Sequence, residues 1–315
     1  HAGRPAVTAG RFAPSPSGLM HLGNARTALL AWLDARARGG RVLLRIEDLD
    51  RDRCRPEFAE AIRADLRWLG LDWDEETPAQ STRDEAYHAA VVRLDAAGLV
   101  YDCFCTRREL AVASAPHGAA DEPPTYPGTC RDLTAERRSQ LLAEGRRPAL
   151  RLRMPDNLPR VVDRVHGVVE GSGGGDIVVR RADGLYAYQL AVVVDDAADG
   201  VTDVVRGDDL LPSTGRQVAL AAMLGVQVPA YAHVPLVIDE DGVRLAKRHA
   251  ALTLLALRKA GIRPEALVGA MAASAGLGEG HPARPGELAG GFDIARIRRD
   301  PWVPDAAALA DAGRV

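Results

Sequence analysis

The sequence contains few aromatic residues, few cysteines and no long hydrophobic run. Aromatic residues make up 4% of the 315 residues, and the chain has four cysteines. No apolar run approaches the ~20 residues that a membrane-spanning helix requires, and the N-terminus lacks a signal-peptide pattern. Cysteines in such a chain are typical of cytoplasmic thiols or metal ligands and not of a disulfide framework. We therefore expect a cytoplasmic globular monomer with no membrane partner.

Lysine is also scarce, because arginine carries nearly all of the positive charge. Lys247 and Lys259 are the only lysines among 40 basic residues, and the formal net charge is −3. This balance does not predict a nucleic-acid partner, so any such partner must meet a local basic surface. A retained lysine supplies a compact ammonium that arginine cannot replace, although codon usage also explains the bias.

The first fifty residues predict a β-strand, a helix and a second parallel β-strand. Residues 7–14 have the pattern of a short strand, residues 21–38 carry apolar side chains at helical spacing, and residues 41–46 form another apolar run. Gly39 and Gly40 mark the end of the helix. Ligands bind at the carboxyl ends of parallel strands. We therefore expect residues 11–15 and 47–50 to lie at the same edge of a sheet.

The rest of the chain predicts an α/β fold with an insertion. Helical patterns follow from Pro56 to Gly70 and over residues 82–98, and the composition changes at Tyr101. Residues 185–207 and 229–237 have buried, apolar character, and the chain is mostly helical after residue 250. We expect one α/β domain formed by residues 7–100 and 186–240, an insertion over residues 101–185, and a loop with a helical tail over residues 241–315.

Two separate stretches suggest a site for phosphate groups. His21 precedes a predicted helix, and Gly18 and Gly23 let a ligand approach the backbone N–H groups at the helix start. A histidine there can donate to phosphate oxygens, although a packing histidine explains the motif as well. The stretch "RLAKRHAALTL" (residues 244–254) places Lys247 among other basic residues, which suits a clamp on a polyphosphate. A solvated basic loop is the alternative.

Three cysteines have the spacing of a metal site. Cys103, Cys105 and Cys130 supply three thiols, whereas Cys54 lies apart in the sequence. A tetrahedral zinc site needs a fourth ligand, and spacing alone favours His117. Cysteines that are simply buried are the alternative.

Several motifs together resemble one enzyme family. "RFAPSPSGLMHLGN" and "RLAKRH" resemble the two signature motifs of class I aminoacyl-tRNA synthetases, and "RIEDLD", "LGLDWDE" and "VVRGDDLLPSTGRQ" resemble their glutamyl subgroup. The resemblance runs in order from Arg11 to about Leu254. Asn24 replaces a histidine that many class I enzymes have. Arg244 and Ala246 stand where lysine and serine are more usual, whereas Lys247 is present.

The resemblance implies a Rossmann-like catalytic domain that activates L-glutamate with ATP and Mg²⁺. His21 and Lys247 would act in catalysis and, with Gly23 and Asn24, bind ATP. Arginines and a carboxylate are also what a ligand with two carboxylates and one ammonium requires. The residues that the resemblance implies for glutamate are Arg11, Ala13, Ser15, Glu47, Tyr188 and Arg206.

The resemblance also implies one structural zinc ion in the insertion. A subset of the family carries C-x-C followed by Y-x-x-x-C, and Tyr126 to Cys130 matches the second part. Its tyrosine is a ligand through the phenolate oxygen. The implied ligands are Cys103, Cys105, Tyr126 and Cys130, with His117 as the alternative to Tyr126.

The length of the sequence after Lys247 indicates which members of this family the chain resembles most. Fewer than seventy residues follow it, whereas a full glutamyl-tRNA synthetase has an anticodon-binding region there. We therefore expect no anticodon-binding domain, as in truncated paralogues that esterify glutamate to queuosine in the anticodon of tRNA(Asp). The main rival is a short glutamyl-tRNA synthetase that charges the 3′ end of tRNA(Glu). A small adenylyltransferase and a non-catalytic RNA-binding paralogue are two further candidates.

The predicted RNA phosphate contacts are Arg107, Arg108, Arg137, Arg138, Arg146 and Arg147.

Overall fold

Two β-sheets organise the part of the chain that the computed structural model describes, which is residues 8–106, 108–110, 126–171, 175–245 and 250–305. In chain order, the strands within these residues are β1 (Ala9–Phe12), β2 (Arg41–Arg45), β3 (Glu75–Thr77), β4 (Val100–Cys103), β5 (Ala149–Leu152), β6 (Leu158–Asp163), β7 (Gly167–Gly171), β8 (Ile177–Arg180), β9 (Asp203–Gly207) and β10 (Ala230–Val234). The larger sheet has the order β3-β2-β1-β9-β10-β6-β7, and the smaller has the order β4-β5-β8.

The α-helices whose bounds follow connect or cover these strands, and residues 108–110 are also helical. The helices with bounds are α1 (Leu22–Ala37), α2 (Pro56–Trp68), α3 (Asp84–Ala96), α4 (Ala135–Ala143), α5 (Tyr188–Ala198), α6 (Leu211–Leu224), α7 (Leu254–Lys259), α8 (Pro264–Ser274) and α9 (Pro285–Leu288). None of the helices formed by the described residues is long and apolar enough to cross a lipid bilayer.

The predicted β-α-β arrangement at the start of the chain is confirmed. β1 and β2 pair in parallel with Arg11 opposite Leu43, and α1 packs on β1 and β9. Leu22 and Leu29 of α1 are fully buried. The helix ends where Gly39 adopts a φ of 63°, a left-handed conformation that favours glycine. This unit directs the carboxyl ends of β1 and β2 to the same edge of the sheet.

The larger sheet is mainly parallel, as expected for an α/β fold. Each neighbouring pair from β3 to β6 is parallel, and only β7 is antiparallel to its neighbour. Residues 185–207, predicted as buried, form α5 and β9, and the predicted strand near residue 230 is β10. The strands therefore present a common carboxyl edge.

The region between residues 101 and 185 is divided between both sheets. β4, β5 and β8 form the small antiparallel sheet, whereas β6 and β7 extend the large sheet because Asp163 pairs with Tyr231 of β10. The expected insertion thus contributes two strands to the main sheet. Its predicted outer boundaries remain a prediction.

The helical tail packs into the main core. Leu254 of α7 and Leu267 of α8 are fully buried in the same apolar cluster as Leu22 and Leu29 of α1. Full burial of one such side chain stabilises a fold by about 1.5–3 kcal/mol. The tail is therefore a structural part of the α/β domain.

Candidate functional site

A cleft of about 880 Å³ opens at the carboxyl ends of β1, β2, β9 and β10. Lys247 lies outside the described residues, but Arg244, three positions earlier, lines the cleft and forms an ion pair with Asp209, which also lines it. The position of the cleft confirms that residues 11–15 and Glu47 share one edge. The predicted substrate residues that line it are Arg11, Ala13, Ser15, His21, Gly23, Asn24, Glu47, Tyr188 and Arg206.

His21 caps the first helix at the floor of this cleft. Its Nδ1 accepts a hydrogen bond from the backbone N–H of Asn24 at 3.4 Å. A neutral imidazole that accepts at Nδ1 carries its proton on Nε2, so its donor is at Nε2. Gly23 makes room for the ring, because a Cβ atom there would lie 3.1 Å from Nδ1. The helix start and the Nε2 donor together suit a phosphate group.

Buried charged residues support the other side of the cleft. Arg45 is fully buried, and its Nη2 lies 2.6 Å from Asp196 Oδ1 and 3.3 Å from Glu47 Oε1. Arg11 Nε lies 3.3 Å from the same Asp196 oxygen, and Arg45 Nη1 lies 3.1 Å from Asp199. Burial acts to raise the pKa of Asp196, but Arg11 and Arg45 hold it below its usual value. These contacts fix Arg11 and Glu47 at the cleft.

Glu47 has a different electrostatic balance from Asp196. Burial raises the pKa of Glu47 above its ordinary value, even though Arg45 and Arg11 act to lower it. Burial and the charge of Glu47 also raise the pKa of Tyr188. A cation placed beside Glu47 would favour its ionised form. The pocket therefore has a carboxylate suited to an ammonium group next to guanidinium groups suited to carboxylates.

Sequence reasoning missed Arg45, Asp196 and Asp199. Asp196 lies on α5 and Asp199 caps its end, about 150 positions from Arg45 in the sequence. The sequence pattern that could have identified Asp196 is the acidic pair at the end of the apolar run "LAVVVDD". Carboxylates on an apolar helix face need a buried partner. The sequence around this pair does not show that Arg45 is the partner.

The predicted thiol cluster is assembled in the structure. The Sγ atoms of Cys103, Cys105 and Cys130 all lie within 4.8 Å of one another, and those of Cys105 and Cys130 are 3.6 Å apart. In a tetrahedral site with zinc–sulfur bonds of ~2.3 Å, sulfur atoms lie ~3.8 Å apart. The Tyr126 hydroxyl is 3.6 Å from Cys103 Sγ. The three thiols can therefore hold a metal ion. His117, the other suggested ligand, lies outside the described residues.

The close packing of the thiols also affects their ionisation. Burial and the neighbouring Cys103 raise the pKa of Cys105 to about 12. Thiols this close ionise together only beside a cation. Arg151 Nε donates to Cys103 Sγ at 3.2 Å and places its guanidinium over the Tyr126 ring. The donor set and its spacing fit a small closed metal site.

The predicted RNA-contacting arginines have different environments. Arg138 pairs with Asp102, Arg137 lies 3.7 Å from Glu144, and Arg146 donates to the Phe104 carbonyl. Arg107 lies outside the described residues. Arg108 and Arg147 are exposed, as are Arg137 and Arg138.

Comparisons with known proteins agree over most of the chain. The sequence profile "tRNA synthetases class I (E and Q), catalytic domain" matches residues 7–277. A Symbiobacterium thermophilum protein named glutamyl-Q tRNA(Asp) synthetase is 55% identical over 93% of this chain and 94% of its own length. A protein of the same name from Nocardia farcinica is 56% identical over 94% of this chain and 92% of its own length.

A solved structure shows the same fold. It is a glutamate tRNA ligase from Elizabethkingia meningosepticum in complex with its amino acid, with a TM-score of 0.81 and 28% sequence identity. The superposition covers 97% of this chain and 68% of that one. The likeness to each of these three proteins extends over more than nine-tenths of this chain.

Proposed function

Because the chain belongs to the glutamyl-Q tRNA(Asp) synthetase family of class I tRNA synthetases, we propose that it activates L-glutamate with ATP and transfers the glutamyl group to queuosine in the anticodon of tRNA(Asp). The enzyme is a ligase. One observation carries the proposal. A single cleft combines a histidine at a helix start with an arginine–glutamate pocket, in a chain that matches these relatives over nearly their whole length.

The pocket has a partner for each charged group of glutamate. Arg11 and Arg206 donate to its carboxylates, and Glu47 accepts from its ammonium group. The ammonium favours the ionised form of Glu47, so ligand binding and ionisation of Glu47 support each other. The remaining walls of the glutamate pocket are formed by Ala13, Ser15 and Tyr188.

The cleft also supports the activation step. An α-carboxylate oxygen of glutamate attacks the α-phosphorus of ATP, the bond to the bridging oxygen breaks, and pyrophosphate leaves. ATP enters as its Mg²⁺ complex. Gly23 and Asn24 at the start of α1 bind phosphate, His21 donates from Nε2, and Lys247 supplies an ammonium to the departing charge.

Transfer then needs positioning but no further catalytic group. A hydroxyl of the cyclopentenediol of queuosine attacks the glutamyl carbonyl carbon, its proton passes to a phosphate oxygen of the departing AMP, and the bond between the carbonyl carbon and AMP breaks. The vicinal hydroxyls resemble those of a terminal ribose, so the position of the RNA decides which acceptor reacts. Arg108 and Arg147 are our candidates for phosphate contacts that set this position.

We also assign one structural zinc ion to Cys103, Cys105, Cys130 and Tyr126. Four protein ligands leave no open position, so this ion would stabilise its region without taking part in the reaction. Metal analysis of Tyr126→Phe and His117→Ala decides the fourth ligand. We expect Tyr126→Phe to lose zinc and His117→Ala to retain it, and the reverse result would assign His117.

The acceptor is tested with labelled glutamate and three RNAs. These are tRNA(Asp) from cells that make queuosine, tRNA(Asp) from cells that do not, and tRNA(Glu). We expect label only on the queuosine-containing tRNA(Asp), and we expect it to remain after removal of the 3′-terminal adenosine. Charging of tRNA(Glu) at its terminal adenosine would instead establish a glutamyl-tRNA synthetase.

A further inference from the structure

Three buried polar residues stand in line behind the cleft, on neighbouring strands. Asp163 ends β6, His233 lies on the adjacent β10, and Arg206 lies on β9, directly opposite His233. Their exposed fractions are 2%, 0% and 4%. Buried polar groups at such depth need defined partners, so each contact in this row constrains the next.

The hydrogen-bond roles in this row follow from the chemistry of arginine. Arg206 Nε lies 3.0 Å from His233 Nε2. A guanidinium only donates, so Nε2 of His233 must accept and the imidazole proton must be on Nδ1. That Nδ1 lies 2.6 Å from Asp163 Oδ2, which accepts it. Burial lowers the pKa of His233, which keeps the ring neutral although Asp163 opposes this effect.

Asp163 is itself held in place. Its carboxylate accepts from the backbone N–H groups of Val165 and His166 at 2.9 Å each, and from that of His233 at 3.0 Å. Burial acts to raise the pKa of Asp163, but the hydrogen bonds from His233 and the turn hold it below its usual value. The ionised carboxylate therefore fixes both the orientation and the tautomer of the ring.

Arg206, at the far end of the row, lines the cleft. Arg206 Nη2 donates to Thr214 Oγ1 at 2.8 Å, so two of its three nitrogens are bound to protein. The third, Nη1, is buried and has no hydrogen-bond partner among the residues that the structure describes. Because a buried N–H group without an acceptor is costly, we expect Nη1 of this cleft-lining arginine to donate to a bound ligand. A carboxylate oxygen is a suitable acceptor.

We propose that Asp163 and His233 are positioning residues that orient Arg206 toward a carboxylate of the bound glutamate. The inference rests on the proposed function, which places Arg206 in the glutamate pocket. Loss of the acceptor at His233 leaves the Arg206 Nε–H buried without a partner, and the guanidinium must turn to satisfy it. Glutamate binding then weakens, while the ATP site at the start of α1 is unaffected.

The test is glutamate-dependent ATP–pyrophosphate exchange by three variants of the full chain. In His233→Leu the acceptor is removed, and we expect KM for glutamate to rise on the order of 10- to 100-fold with KM for ATP unchanged. In His233→Gln an amide oxygen can replace Nε2 as acceptor, and we expect KM for glutamate within a few-fold of wild type. Val161→Ala removes buried volume from β6 and serves as the stability control. It should lower Tm without changing either KM.

The outcomes separate this inference from the proposed function. A wild-type protein without glutamate-dependent exchange contradicts the proposed function. An active wild type with an unchanged glutamate KM in His233→Leu, or with equal losses in His233→Leu and His233→Gln, overturns the inference. The ¹⁵N NMR signals of His233 in the wild-type protein give a test that needs no variant. We expect a protonated Nδ1 and a bare Nε2, and a protonated Nε2 would refute the positioning role.

Discussion

Replacement of Gly23 by alanine should lower activity without lowering stability. The new Cβ atom would lie 3.1 Å from Nδ1 and 3.2 Å from Cε1 of His21, whereas ordinary contacts begin at 3.4 Å. The imidazole must therefore move by a few tenths of an ångström. A shift of about 1 Å in a reacting group costs on the order of 100-fold in rate, so we expect exchange to fall roughly four- to tenfold. Helix propensity acts in the opposite direction, by up to about 1 kcal/mol in favour of alanine.

The measurement is pyrophosphate exchange together with thermal unfolding of Gly23→Ala. Gly286→Ala is the matched control, because Gly286 is also the second residue of a helix, and a Cβ there meets no atom within 4 Å in the described part of the chain. It should leave exchange unchanged. In a His21→Ala background, Gly23→Ala should cause a smaller loss than it does in the wild type, since the displaced ring is then absent. Full exchange in Gly23→Ala, or additive losses in the double variant, would refute this reasoning.

Three other changes give separable results. Cys130→Ser should release one zinc ion per chain by metal analysis, whereas Cys54→Ser, outside the cluster, should retain it. Lys247→Ala should reduce exchange on the order of 10²–10³-fold, while Lys259→Ala, the same change at the other lysine, should not. Burial raises the pKa of Asp65 to about 6 from an ordinary value of 3.8, so the folded state binds the extra proton and loses stability as pH rises through this interval. In denaturant unfolding at pH 7, Asp65→Asn should therefore have a free energy of unfolding higher than that of the wild type by on the order of 1–2 kcal/mol. The two free energies should become equal near pH 4. A difference that is the same at both pH values would contradict the raised pKa of Asp65.

The sequence predicted the parts of the site that local patterns control. The helical spacing after His21 and the glycines after residue 38 indicated the first β-α-β unit, and the parallel-strand rule then placed Arg11 and Glu47 together. Both follow from interactions within about forty residues. The proximity of the three thiols was also predictable, because their sequence spacing is typical of metal ligands.

The supporting residues could not be predicted in the same way. His233 has an ordinary position in an apolar strand, and only the insertion of β10 between β9 and β6 brings it between Arg206 and Asp163. Arg45 likewise meets Asp196 through a crossover of about 150 residues. Alternation along a strand shows that such a residue faces inward, but its partner depends on strand order, which no local pattern encodes.

The position of β10 also determines when the large sheet can be completed during synthesis on the ribosome. β6 and β7 leave the ribosome well before β10, whose Tyr231 pairs with Asp163 roughly 70 residues earlier. At a synthesis rate of about 5–20 residues per second, the edge of β6 remains unpaired for several seconds before β10 is made. Val162 and Val168, which face each other across this hairpin, remain exposed even in the finished protein. The nascent chain therefore has an unpaired strand edge beside two exposed valines. Such an edge can bind a chaperone or pair with another nascent chain.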